Sequence, residues 1–105
     1  MTDKQRKICE DLGWTIEEDG KEITFSQYSP LNEDFSFTVS GNDIAEEVRT
    51  YQQDFDPEEH AVMWFGVRYE ISYVPMSIRD LLDDADAIEE MLEKLATALE
   101  NAEEG

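Results

Sequence analysis

Acidic side chains are the residues of this sequence best suited to chemistry, since 27 of its 105 residues are Asp or Glu. Paired carboxylates serve as general acids and bases, but no feature of the sequence marks any pair as buried. The run Asp83-Asp84-Ala85-Asp86 resembles a calcium loop, yet it lacks the glycine that such a loop requires and lies within a predicted helix. The run Asp54-Phe55-Asp56-Pro57-Glu58 fails for the same lack of a glycine. We therefore expect no metal site and no cofactor.

The single histidine and the single cysteine do not form a reactive pair. His60 follows Glu59 without a HExxH motif or a nearby cysteine, so we expect a surface or half-buried residue. Cys9 stands beside Ile8, which predicts a buried thiol, and one cysteine excludes an internal disulfide. The chain also lacks a phosphate loop, a nucleophile elbow and a dinucleotide fingerprint, so we expect no enzyme.

The charge balance restricts the class of partner. With 27 acidic residues against 8 Lys and Arg, the formal net charge is −19. Nucleic acid and anionic membranes repel such a protein, whereas basic proteins attract it. No apolar run approaches the ~20 residues of a membrane span, and the N-terminus lacks an apolar signal segment. We expect a cytoplasmic protein whose partner is a basic protein.

The stretch Ser77–Ala102 organises the predicted fold. Its apolar residues recur at steps of three and four, which predicts one long helix with a buried stripe, capped by Ser77. Leu82, Met91 and Ala96 widen that stripe, so it suits packing against a sheet. The stripe comprises Ile78, Leu81, Ala85, Ile88, Leu92, Leu95, Leu99 and Ala102.

The remaining faces of this helix are strongly acidic, and they are the first candidate binding surface. The second candidate is a group of aromatic residues outside the predicted core, with burial in the core as the alternative. The candidate partner-binding residues are Asp83, Asp84, Asp86, Glu89, Glu90 and Glu93 on the helix, and the aromatic residues Tyr51, Trp64 and Tyr69.

The N-terminal half predicts a helix followed by three strands. Residues 2–12 have a capping box at Thr2 and Gln5. Asp19-Gly20 predicts a two-residue turn, and pairing outward from it sets Ile16 opposite Ile23, with the apolar residues on one face. A third strand follows, because its apolar residues alternate with polar ones. Those apolar residues are Phe35, Phe37 and Val39.

Helices complete the predicted architecture. Asp43 and Asp56 are candidate N-caps of the second and third predicted helices, and the third begins at Pro57 and continues to Tyr69. For residues 70–76 we prefer a loop, with a short fourth strand as the alternative. The expected fold is a single α+β domain over residues 1–105, a three-stranded antiparallel meander packed on helices in the order α-β-β-β-α-α-α.

Two segments carry a resemblance to other proteins. YSPLNEDFSFTV (residues 28–39) and DFDPEEHAVMWF (residues 54–65) resemble short acidic proteins of unknown function from intestinal Firmicutes, often encoded on mobile elements. The resemblance implies no residue roles. An accessory or counter-defence protein would fit it, by association alone.

The leading functional hypothesis is a small acidic protein that occupies a basic surface of a partner, as a nucleic-acid mimic or an inhibitor of a nucleic-acid-binding defence enzyme. A helix of ~26 residues is ~39 Å long, which is the length of roughly eleven phosphates on one DNA strand. The alternatives are an adaptor that uses the aromatic residues, and an enzyme with unmarked carboxylates. We expect a monomer, because like charges oppose pairing through the stripe; a dimer is the alternative.

Overall fold

A computed structural model describes the backbone of residues 1–40, 43–71 and 77–104, and the side chains of these ranges apart from 65–71, 78 and 103–104. The three strands and four helices follow the predicted order and confirm the predicted α+β class. The elements are α1 (Asp3–Asp11), β1 (Thr15–Asp19), β2 (Glu22–Tyr28), β3 (Asp34–Val39), α2 (Ile44–Asp54), α3 (Pro57–Ile71) and α4 (Ile78–Glu104).

The strands form an antiparallel meander in the order β1-β2-β3, with β2 in the centre. Side chains alternate between the faces of a strand, and β3 shows this directly, since Phe35, Phe37 and Val39 are buried while Ser36 and Thr38 are exposed. The sheet therefore presents one apolar face to the helices and one polar face to solvent.

The predicted pairing of β1 with β2 is wrong by two residues. Ile16 lies opposite Phe25 rather than Ile23, and Glu18 lies opposite Ile23. The two turn residues are Gly20 and Lys21, and Gly20 adopts a positive φ of 63°, which glycine accommodates at the first central position of a hairpin turn. A shift of two residues keeps every side chain on its predicted face, so the buried face is still correct.

The helix starts use the predicted caps. The Thr2 hydroxyl accepts from the Gln5 N–H, and the Gln5 side chain accepts from the Thr2 N–H. At α4 the Ser77 hydroxyl accepts from the Asp80 N–H in the same way. The Asp56 carboxylate accepts from two N–H groups in the first turn of α3. These bonds satisfy N–H groups that a helix start leaves without intrahelical partners.

The main core lies between the apolar face of the sheet, α2, and α4 from Ile88 onward. Its aromatic part is tightly packed: Phe25 stacks on Phe37 at 5.0 Å between ring centroids, and Trp14 meets Phe37 edge-on at 5.7 Å. Cys9 is fully buried here as predicted, and burial, with the Glu10 charge second, raises the pKa of its thiol to about 11. From α4 the core receives Ile88, Leu92, Leu95, Ala96 and Leu99.

A second cluster joins α3 to the N-terminal half of α4. Ala61, Leu81 and Ala85 are its buried members among the described side chains. The helix α3 continues to Ile71, so the predicted loop is wrong for residues 70–71, and residues 72–76 of that prediction lie outside the described residues. The long helix α4 therefore contributes to two clusters, one at each half.

Candidate functional site

Five acidic residues near the start of α4 form the first candidate surface, which we call the α4 acidic face. Asp80, Asp83, Asp86 and Glu90 are exposed and Glu89 is half-buried. None of the five pairs with a cation within the part of the chain that the structure describes. Steps of three and four residues return a helical side chain to nearly the same face, so Asp83, Asp86 and Glu90 point in similar directions. The described side chains therefore leave the negative charge of this surface uncompensated.

Glu93, a predicted member of the binding surface, is instead tied to α2. Arg49 contacts Glu93 through Nη1 at 2.5 Å and binds Glu100 through Nε at 3.1 Å and Nη2 at 2.6 Å. The Arg49 hydrogen bonds hold the pKa of Glu100 below its usual value of 4.5, whereas the pKa of Arg49 is raised. A bidentate guanidinium pair has fixed geometry. This clamp fastens α2 to α4 and removes charge from the candidate surface.

Asp84, also predicted to be exposed, is buried with only 4% of its surface accessible, so that part of the prediction is wrong. Its Oδ1 accepts from the Leu31 N–H at 2.9 Å. That bond attaches the β2–β3 loop to α4. It also supplies a hydrogen-bond donor to a carboxylate that lies next to Ala85 on the inward side of the helix. Its Oδ2 is buried and has no hydrogen-bond partner among the described residues.

Two of the three aromatic candidates, Tyr51 and Trp64, pack against different clusters. Tyr51 is half-buried and stacks on Phe37 at 4.5 Å, as part of the main core. Burial raises the pKa of its phenol, and the Glu33 charge raises it further. Trp64 is half-buried against the second cluster. The side chain of Tyr69 lies outside the described ones, so a patch of all three residues stays a prediction.

A contact between Glu33 and His60, which no sequence pattern predicted, lies beside Tyr51. Glu33 is 6% exposed, and its Oε1 lies 2.8 Å from Nε2 of His60, a half-buried residue as predicted. The rings of Phe35 and Phe55 flank His60 at 5.8 and 5.2 Å between centroids. The two partners are 27 residues apart in sequence, so no local spacing signals the contact.

An open cavity of about 210 Å³ adjoins His60. Tyr51, Phe55 and Met63 supply apolar wall, and Asp54, Asp56 and Glu59 supply acidic wall. The Asp56 carboxylate is already engaged at the start of α3. The Ser29 hydroxyl accepts from the Glu33 N–H at 3.0 Å and so fixes the loop that carries Glu33.

The described residues place no group of three or more His, Cys, Asp or Glu side chains in an arrangement that could hold a metal ion. None of the helices within the described ranges is both long enough and apolar enough to cross a bilayer. Comparison with known proteins finds no match, since no family model, curated protein or solved structure matches this chain. The candidate function therefore rests on geometry and charge.

Proposed function

We propose that this protein is a non-enzymatic binding protein that occupies the nucleic-acid-binding surface of a basic partner protein. The observation that carries the proposal is the α4 acidic face, where five carboxylates that pair with no cation among the described side chains lie between Asp80 and Glu90. Ten residue steps along a helix span about 15 Å, so the carboxylates recur about every 3 to 4 Å. One DNA strand presents a phosphate about every 3.4 Å, which is a similar linear density.

The dimensions of the whole molecule support the same proposal. Its longest axis is 45 Å, and the other two are 23 and 21 Å. A duplex of that length carries about 26 phosphates, at one per ~1.7 Å, against a net charge of −19 for this protein. An elongated molecule with a charge density of that order attracts the same cationic surfaces as a nucleic acid does.

The decisive experiment reverses the charge of the α4 acidic face at residues whose substitution should leave the fold unchanged. Asp83, Asp86, Glu89 and Glu90 are changed together to Lys, whereas Asp84 and Glu93 are left intact because they hold the loop and Arg49. Exposed charges contribute little to stability individually, so the variant should still fold. Affinity capture from a lysate of the source cell should then lose the basic partner that the wild type retains.

A matched variant controls for total charge. Glu10, Glu17, Asp19 and Glu22 are exposed on α1 and the hairpin, and changing these four to Lys gives the same net charge of −11, since each reversal adds two to −19. This control should keep the partner if the location of the charge matters.

Two further measurements could refute the proposal. The captured protein should be released as salt rises from about 50 to about 500 mM, because exposed charges are screened. The wild type should also displace labelled DNA or RNA from that partner. Equal capture by both variants, or a partner retained at high salt with its nucleic-acid binding intact, would refute the proposal.

A further inference from the structure

A second cavity lies where the β2–β3 loop meets α4. Its volume is about 240 Å³, and its described lining consists of Pro30, Leu31, Asp80, Asp83 and Asp84. The three acids are spaced at i, i+3 and i+4, so one helical turn directs them to a common face. Two apolar residues of the loop form the opposite wall.

The buried member of this group has an unused acceptor. Asp84 Oδ1 accepts from the Leu31 N–H, whereas Oδ2 is buried and has no hydrogen-bond partner among the residues described. A buried carboxylate oxygen without a donor costs free energy, because water that solvated it in the unfolded chain is lost. Asp84 also lines the cavity, so a donor that reaches this buried oxygen from the cavity would complete its hydrogen bonding.

The geometry selects the class of donor. Metal chelation does not fit, since the described residues form no metal-holding group. A guanidinium pairs best with both oxygens of a carboxylate, but Oδ1 of Asp84 is already engaged by the backbone. An ammonium group is a compact charge with three donors, so it can bind one oxygen of Asp84 and still face Asp80 and Asp83.

We propose that this cavity binds a lysine side chain of the partner protein. The ammonium group meets Asp84 Oδ2, and the methylene stem packs on Pro30 and Leu31, as lysine stems do on apolar surface. The proposal rests on the proposed function and deepens it. Asp80 and Asp83 belong both to the cavity lining and to the α4 acidic face, so the anchoring lysine would be continuous with the rest of the basic surface.

The test uses a small probe, so that it does not depend on finding the partner. n-Butylammonium carries the ammonium and stem of lysine, and n-butanol is its neutral counterpart. Titrated into the folded protein and followed by amide chemical shifts, butylammonium should cause saturable shifts at Leu31 and Asp84, whereas butanol should not. Equal binding of butanol, or unsaturable shifts spread over all acidic segments, would overturn the proposal.

Variants locate the probe. Asp84→Asn keeps the shape of the side chain but removes its charge, so butylammonium affinity should fall about tenfold or more. Asp34→Asn, an exposed residue after the same loop, makes the same chemical change outside the cavity and should leave affinity within about twofold. Should Asp84→Asn fail to fold, Asp83→Asn at the exposed rim replaces it and should weaken binding more than Asp34→Asn does.

The outcomes separate this inference from the proposed function. If charge reversal abolishes partner capture but butylammonium does not bind specifically, the proposed binding function would stand and the proposed lysine site would be refuted. Specific butylammonium binding that Asp84→Asn abolishes, together with equal capture by both charge-reversed variants, would support a cation site and refute nucleic-acid mimicry.

Discussion

Individual residues of this protein show that a carboxylate's role depends on its neighbours rather than on its position in an acidic run. Asp83 is exposed, whereas Asp84, the next residue, is buried and bonded to the backbone of Leu31. Glu93 and Glu100 neutralise Arg49, and Glu33 faces His60. A large net charge therefore coexists with acids that act as structural groups.

The clamp between α2 and α4 predicts a pH-dependent stability. Arg49→Met keeps much of the side-chain stem but removes the guanidinium, so it should lower the free energy of unfolding at about pH 7. Because Arg49 lowers the folded pKa of Glu100, its contribution is complete above the usual value of 4.5 and is lost as pH falls through the lowered folded pKa. Urea unfolding at about pH 7 and about pH 2 should show a difference from wild type that shrinks in acid.

Lys94→Met is the control for this prediction. Lys94 is exposed on α4 and has no ion pair with the described residues, yet its removal changes the net charge by the same amount. If Arg49→Met and Lys94→Met lower stability equally at neutral pH, long-range charge would explain the effect and the clamp would contribute nothing of its own.

At the scale of elements, the sequence predicted most of the fold because its signals are local. Alternation fixed the faces of the strands, and the cap residues at Thr2, Asp56 and Ser77 marked the helix starts. The hairpin register was missed because Asp19-Gly20 and Gly20-Lys21 both place glycine in a two-residue turn. Local sequence could not separate them, since both choices bury the same face.

The candidate site was less predictable, because its contacts join distant residues. The Leu31–Asp84 bond spans 53 positions and the Arg49–Glu100 bond spans 51. Sequence periodicity does not reveal contacts between such distant residues. It therefore could not distinguish a buried acidic residue of a helix from an exposed one. The buried stripe of α4 was predictable, since its spacing repeats over many turns.

The stripe leads to a stability prediction for α4. Ile88 and Leu92 are fully buried, so Ile88→Ala and Leu92→Ala should each lower the free energy of unfolding by ~2 to 5 kcal/mol. Val62→Ala, at a side chain that is 61% exposed on α3, should cost less than about 0.5 kcal/mol. Denaturant unfolding measures all three. Core substitutions no more costly than Val62→Ala would mean that α4 does not cover the sheet.

In the molecule as a whole, the apolar stripe of α4 is buried within one chain, so it is not available to form the alternative dimer. The described members of the stripe from Leu81 to Leu99 are at most 2% exposed within one chain. A dimer through this stripe would require α4 to leave its own sheet, in addition to bringing two charges of −19 together.

We therefore expect a monomer at both low and high salt. Light scattering should give the mass of one chain at about 20 mM and at about 500 mM NaCl, since screening removes repulsion but does not expose the stripe. A dimer that forms only at high salt would identify charge, rather than burial, as what keeps the chains apart. A dimer at both salt concentrations would contradict the expectation altogether.

The division of α4 between two clusters has a consequence for local unfolding. Amide hydrogens exchange with solvent through the opening that costs least, and separate clusters need not open together. Amides near Leu92 and Leu95, in the larger of the described clusters, should exchange only when the whole molecule unfolds. Those near Leu81 and Ala85 should exchange through a smaller opening that leaves the sheet intact. The α4 acidic face begins on that half, so a bound partner would show itself as added protection there.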